Sequence, residues 1–77
     1  MAASAIKHAV YFPKMYSWLS SSTEVVLTRD INKALMFNEL TELEQVLAAL
    51  GVKEAVVQKY KATLVIIDNV NWRSVQP

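Results

Sequence analysis

The chain lacks cysteine, and its 77 residues include one histidine, His8, and one glycine, Gly51. The absence of cysteine excludes disulfides and thiolate metal sites, and one histidine excludes a cluster of histidine ligands. A chain this short buries only about 60% of the surface that it exposes when unfolded. Small folds are usually supported by disulfides, a metal or association with another chain. Because disulfides are excluded and few metal ligands are present, we expect the chain to self-associate as a homodimer.

Charge is also scarce, and it is balanced between the two signs. The formal net charge is +1 and charged residues make up 19% of the chain. This is not the strongly basic balance of a dedicated nucleic-acid-binding protein. No apolar run reaches the roughly 18 residues of a membrane-spanning helix, and the first eight residues contain no signal-peptide core. We therefore expect a cytoplasmic protein that does not bind membranes.

The first part of the chain has the composition of β-strands. Segments rich in β-branched and aromatic residues are separated here by short polar or proline-containing turns. Pro13 starts the first turn, because proline fixes φ and lacks a backbone donor. Val10 and Phe12 are expected to pair with Tyr16 and Trp18 across a hairpin, where aromatic cross-strand pairs are stabilising. The predicted strands are residues 6–12, 15–19 and 24–28.

The middle of the chain has a helical pattern. Asp30 is a good N-cap for one helical turn that places Ala34 and Phe37 on the inner side. Residues 39–50 then predict the main helix, because their leucine and valine residues recur at helical spacing. Gly51 follows where a left-handed C-cap residue is expected. The apolar stripe of the helix consists of Leu40, Leu43, Val46, Leu47 and Leu50.

The last β-rich region, residues 54–67, allows two interpretations. Residues 58–61 are either a polar stretch inside one strand or a bend that joins two strands. We favour one long, bulged strand that ends at Asp68 and Asn69. Residues 68–77 then form a tail, and its Trp72 either docks back on the domain or meets a partner.

These elements predict one α+β domain over residues 1–77, with its core in residues 6–67. An antiparallel sheet of about four strands carries one main helix on one face, in the order β-β-β-α-β.

The order of these motifs resembles that of small phage and prophage accessory proteins, in which a β-hairpin precedes a cap, an acidic helix and a closing strand. The resemblance covers residues 6–67 and departs from the class at Leu40 and Leu43, where the usual residues are charged or alanine. It implies an accessory protein of a bacterial host cell and no particular activity. The motifs that carry it are Thr28-x-Asp30-x-x-x-Ala34-x-x-Phe37 and Glu42-x-Glu44-x-x-Leu47-x-x-Leu50.

The candidate catalytic groups have simpler structural explanations. His8 has an ordinary pKa near physiological pH, but no motif links it to a nucleophile or carboxylate. The serines at residues 20–22 lack the surrounding glycines of a nucleophile elbow. Glu39, Glu42 and Glu44 suit the positive end of the helix dipole better than a cation site, which needs more oxygen ligands. We therefore expect no enzyme activity, no metal and no cofactor.

The candidate binding residues are aromatic or basic. Lys59, Tyr60 and Lys61 would suit nucleic acid, whose bases stack on aromatic rings and whose phosphates attract lysine. Strand alternation places Tyr60 opposite the two lysines, where we expect it to pack under the helix. Because aromatic and basic residues often dominate protein interfaces, we predict a partner-binding set of four residues. They are Trp18, Lys59, Lys61 and Trp72.

The function predicted from the sequence is thus binding of a host or phage protein, with inhibition of that protein as a natural use. The alternative is a small nucleic-acid-binding regulator.

Overall fold

The structure is a computed structural model that describes residues 6–61 and 65–74. It confirms the α+β class, with one α-helix, two 3-10 turns and an antiparallel sheet of five strands in the order β3-β2-β1-β4-β5. The structure has one strand more than the predicted order β-β-β-α-β, and this fifth strand follows the last predicted one. The elements are β1 (Lys7–Phe12), a 3-10 turn (Pro13–Met15), β2 (Ser17–Leu19), β3 (Leu27–Thr28), a 3-10 turn (Ile31–Lys33), α1 (Leu40–Ala49), β4 (Glu54–Tyr60) and β5 (Ile66–Arg73).

The hairpin of β1 and β2 forms as predicted, but its register differs. Pro13 begins the 3-10 turn, and Tyr16 closes it in the left-handed conformation with φ of 51°. Tyr11 faces Trp18, and Phe12 faces Ser17. The predicted pairing of Val10 and Phe12 with Tyr16 and Trp18 was wrong, because Tyr16 belongs to the turn and the second strand starts only at Ser17.

The segment between β3 and α1 is fixed at two points. The Asp30 carboxylate accepts a hydrogen bond from the backbone N–H of Asn32 at 3.0 Å, which confirms the predicted cap on a 3-10 turn. Phe37 then pairs with His8 through two backbone hydrogen bonds of 2.8 Å. This pairing directs the Phe37 ring into the core, where it is buried.

Helix α1 packs its apolar stripe on one face of the sheet. Leu43 and Leu47 are fully buried, Val46 and Leu50 pack against the core, and Leu40 at the first turn is exposed. Gly51 ends the helix with φ of +74°, as predicted. The buried core comprises Val10, Leu19, Phe37, Leu43, Leu47, Ala55 and Val57.

The prediction of one long strand over residues 54–67 was wrong. β4 ends at Tyr60, the chain reverses with a 3.0 Å hydrogen bond from the Lys61 N–H to the Val65 carbonyl, and β5 returns antiparallel to β4. The sequence hides this reversal because β-branched residues favour extended backbone on both sides of it, and no glycine or proline marks the turn. Residues 62–64 of the predicted strand lie outside the described residues.

The predicted tail is also corrected, because most of it belongs to the sheet. Val70 pairs with Val57, and Trp72 pairs with Ala55, so β5 continues well past Asp68 and Asn69. The core therefore extends beyond residues 6–67. Residues 1–5 and 75–77 lie outside the described part of the chain.

The two faces of the sheet carry different residues. Directly paired residues share a face, so Val10 and Val57 lie under α1, whereas Tyr11 and Trp18 lie on the opposite face. Tyr60 also lies on that opposite face. The predicted alternation with Lys59 is confirmed, but the predicted packing of Tyr60 under the helix was wrong, because Val57 and Lys59 are the residues of this strand segment on the α1 side.

Candidate protein-interaction edge

The sheet ends in two edge strands of very different length. β3 has two residues, whereas β5 has eight and lies at the opposite end of the strand order. Every β5 side chain except that of Trp72 is exposed. Natural proteins usually protect long edges with charges, proline or bulges, because an edge strand presents backbone donors and acceptors to other chains. β5 is therefore the edge of this sheet that is long enough to pair with another strand.

The β5 edge carries apolar side chains in place of protective charges. We call Val65, Ile66, Ile67 and Val70 the β5 apolar cluster, and their exposed fractions range from 41% to 53%. The strand has two charged residues, Asp68 and Arg73, and the latter forms a surface ion pair with Glu54 at 3.5 Å. Exposed apolar residues that share one edge are typical of an interaction surface.

One irregularity lies at the end of this edge nearest the chain reversal. The register shifts between Lys59 and Tyr60, so that Asp68 faces Lys59 while Ile66 faces Tyr60. Such a bulge twists a strand locally and disrupts the ladder. From Asp68 to Arg73 the register is continuous, which leaves most of β5 regular enough to accept a further strand.

Two of the four predicted binding residues lie close to this edge and share one groove. A groove of about 300 Å³ between α1 and the sheet is lined by Lys59, Val70 and Trp72, with Leu40 and Glu44 on its helix side. Trp72 is half-buried and packs against the core. Lys59 is half-buried beside Asp68 of β5.

The other two predicted residues lie elsewhere. Lys61 is exposed at the chain reversal. Trp18 lies on the face opposite α1, with its ring centroid 5.1 Å from that of Tyr11. Its indole N–H donates to the Gln58 side-chain oxygen at 2.7 Å. Trp18 is thus half-buried and bonded within the fold, and the four residues do not form one site.

A small buried polar network forms around that bond. The Tyr60 hydroxyl donates to the same Gln58 oxygen at 2.5 Å, and both Gln58 and Tyr60 are buried. Burial raises the pKa of Tyr60, since it disfavours the charged phenolate, and the neighbouring Tyr11 adds to the effect. The Trp18 side chain, whose N–H is a hydrogen-bond donor, lowers the pKa of Tyr60 and so acts in the opposite direction. This network gives Tyr60 and Trp18 a shared hydrogen-bond acceptor within the fold.

His8 lies in β1, where it pairs with Lys59 of β4. Its Nδ1 atom is buried and makes no hydrogen bond to the described residues. Burial lowers the pKa of His8, and the positive charge of Lys59 lowers it further. Within residues 6–61 and 65–74, no three metal-binding side chains come together.

The sequence alone does not reveal the β5 apolar cluster as an edge. The apolar run at residues 64–67 is a signal for it, because its two flanking residues, Thr63 and Asp68, include only one charge. The sequence places this run at the end of one long strand, whereas in the structure Ile66 and Ile67 begin an edge strand.

Comparison with protein-family models, curated proteins and solved structures found no match to the chain. In the described part of the chain, no helix is long and apolar enough to cross a membrane.

Proposed function

We propose that the chain is a non-enzymatic interaction protein that binds another protein by strand addition at β5. One observation carries the proposal: β5 is an eight-residue edge strand whose side chains are nearly all exposed. In strand addition, the backbone of the edge supplies hydrogen bonds and the alternate side chains supply specificity. The β5 apolar cluster adds surface that such a partner would remove from water.

The chemistry around the edge indicates what kind of strand it would accept. Val70 on the α1 side and Ile66 near the chain reversal suit apolar side chains of the incoming strand. Lys61 is exposed beside the reversal and would favour an acidic residue at that end of the partner. Lys59 faces Asp68 across the β4–β5 pair, so we assign this preference to Lys61 alone.

The nature of the partner is a further part of the proposal. The resemblance to small phage and prophage accessory proteins supports a host or phage protein in a bacterial cytoplasm, with inhibition as one outcome of binding. A nucleic-acid-binding regulator is less well supported. Tyr60 is buried and Trp18 is bonded to Gln58, so these two aromatic residues are not free to stack on bases, whereas Tyr16 is 71% exposed.

The test is an affinity capture from bacterial lysate with three tagged proteins, with and without nuclease. They are the wild type, the edge variant Val70→Lys and the control Val26→Lys. Val26 is exposed like Val70 but precedes β3, at the opposite end of the sheet.

The proposal predicts a stoichiometric protein that survives nuclease, is lost with Val70→Lys and is retained with Val26→Lys. Equal capture by both variants would overturn strand addition at β5. Loss of every captured protein on nuclease treatment would favour the nucleic-acid alternative.

A further inference from the structure

We infer that a second copy of this chain pairs with the β5 edge, strand against strand and antiparallel, about a two-fold axis that passes through Val70. This inference rests on the proposed use of β5 for strand addition, and it places a second copy of the chain at the edge where a host or phage strand would otherwise bind. The two sheets would join into one continuous sheet with a central β5–β5 pair. Such an interface is isologous, since both copies contribute the same surface.

Symmetry restricts the possible registers. A two-fold axis that joins two identical edges in antiparallel fashion is perpendicular to the sheet. It keeps the α1 helices of both copies on one side of the joined sheet, so each residue faces a residue from its own face. Successive side chains alternate between the two faces, so two facing residues must be an even number of positions apart in the sequence. The axis therefore lies between the two copies of one residue, and we say that it passes through that residue. The positions near the middle of β5 are Asp68, Asn69, Val70 and Asn71.

The sequence around Val70 is self-complementary. An axis through Val70 places the two Val70 side chains opposite each other. Each would cover the other, and Val70 is 53% exposed in the single chain. Asn69 then faces Asn71 of the second copy, twice, and each amide can donate and accept. Asp68 faces Trp72 of the second copy, whose indole N–H is a donor to a carboxylate.

The neighbouring axes give poorer pairs. An axis through Asp68 places two carboxylates directly opposite each other, which is destabilising. An axis through Asn69 sets the Asp68 carboxylate against Val70, and burial of a charge against an apolar group is costly without a partner. An axis through Asn71 shortens the overlap, since β5 ends at Arg73. The Val70 axis also sets Ile67 against Arg73, but this pair lies at the end of the overlap, where the Arg73 side chain is 83% exposed and stays in water. Val70 therefore combines long overlap with compatible pairs at its centre.

The composition of the chain supports the same partner. The β5 apolar cluster remains exposed in a 77-residue chain that has no cysteine to form a disulfide. Folds of this size commonly gain support from association with another chain. Pairing of two β5 strands about the Val70 axis would cover Val70 and bring Ile67 into the paired stretch, whereas Val65 and Ile66 lie beyond its end.

The test measures the solution mass of the purified chain and of two oppositely charged variants, Val70→Lys and Val70→Glu. The wild type is expected at twice the 8.7 kDa chain mass in light scattering. Each variant alone is expected at the single-chain mass, because like charges would face each other across the axis. An equimolar mixture of the two is expected to recover the doubled mass, since opposite charges then face each other. Val26→Lys is the matched control and is expected to keep the doubled mass.

Cysteine variants test the register. The chain has no cysteine of its own, so a single introduced thiol can be cross-linked only to a second copy. Under oxidising conditions, Val70→Cys is expected to form a disulfide-linked dimer well before Asn69→Cys, because the two copies of residue 70 face each other while the copies of residue 69 are offset. Faster cross-linking of Asn69→Cys would overturn the Val70 axis.

The outcomes separate this inference from the proposed function. A wild-type chain that stays at the single-chain mass from micromolar to millimolar concentration would overturn self-pairing. The edge could still bind a foreign strand in that case, and the lysate capture with Val70→Lys would show it. A dimer that survives in both charged variants would also overturn the inference, since its interface would lie elsewhere.

Discussion

Trp18 of β2 and Gln58 of β4 are joined by a hydrogen bond that crosses over β1, the strand between them. The indole Nε1 donates to the Gln58 side-chain oxygen at 2.7 Å. Ala9 of β1 pairs with Gln58 and is fully buried. A methyl side chain at this position leaves room for two longer side chains to meet above the strand. The face opposite α1 is therefore closed by a small polar and aromatic cluster.

Replacement of Gln58 by leucine is expected to destabilise the fold. The variant keeps a side chain of similar size but removes the acceptor shared by Trp18 and Tyr60. A buried donor without a partner costs about 1–3 kcal/mol. Urea unfolding should show a loss in that range, measured in the Val70→Lys background so that self-association does not contribute.

The matched control is Gln45→Leu, because Gln45 is an exposed residue of α1. Exposed substitutions of this kind usually change the free energy of unfolding by less than about 0.5 kcal/mol. Equal midpoints for the two variants would show that the Gln58 network does not stabilise the fold.

Local signals predicted the first part of this fold well. The Asp30 cap, the stripe of Leu43 and Leu47 and the C-cap at Gly51 each depend on residues close in sequence, and all three formed. The reversal after Tyr60 carries no such signal, so the region was interpreted as one strand. Without the reversal, residues 66–67 are the end of one long strand and Val70 belongs to a tail. The exposed apolar edge at Val70 is therefore not predicted.

The candidate site was less predictable for a related reason. Lys59 and Trp72 do line one groove, but that juxtaposition depends on the pairing of β4 with β5. Trp18 was chosen as an aromatic residue suited to an interface, and nothing near it in sequence reveals that Gln58 binds its indole. Such contacts join residues far apart in the chain, so the sequence alone does not predict them.

Stability is expected to fall at mildly acidic pH through His8. Its pKa in the folded protein lies below the unfolded value of about 6.5, because burial and then Lys59 disfavour the charged ring. Folding therefore favours neutral His8. This contribution is fully present above the unfolded pKa and is lost as the pH falls from about 6.5 toward the folded pKa.

The measurement is the urea midpoint across this pH range at one protein concentration, for the wild type and for His8→Gln. The difference between the two proteins should change below about pH 6.5 and stay constant above it. Glu44 lines the same groove as His8 and would favour the charged ring, but burial and Lys59 outweigh it. Parallel pH profiles for the two proteins would contradict the prediction.

Trp72→Ala is expected to destabilise the fold as well as any interface. The side chain is half-buried, packs against the core and lies opposite Ala55 in the sheet. Removal of a fully buried aromatic side chain costs about 3–5 kcal/mol, so a half-buried one should cost about 2 kcal/mol.

The comparison variant is Tyr16→Ala, because Tyr16 is 71% exposed in the β1–β2 turn. Trp72→Ala should unfold at lower urea than Tyr16→Ala in the Val70→Lys background. If Trp72→Ala kept its midpoint while the otherwise native chain lost its doubled mass, Trp72 would serve association alone.

Gly51→Ala is expected to cost about 1 kcal/mol because of backbone conformation alone. Gly51 has φ of +74°, which residues with a Cβ atom rarely adopt, yet a Cβ atom placed there would meet nothing within 4 Å. Gly51→Asn should cost less, because asparagine tolerates the left-handed conformation better than alanine does. Urea unfolding of both variants tests this order. A larger loss for Gly51→Asn would show that side-chain volume, and not φ, limits the residue at the end of α1.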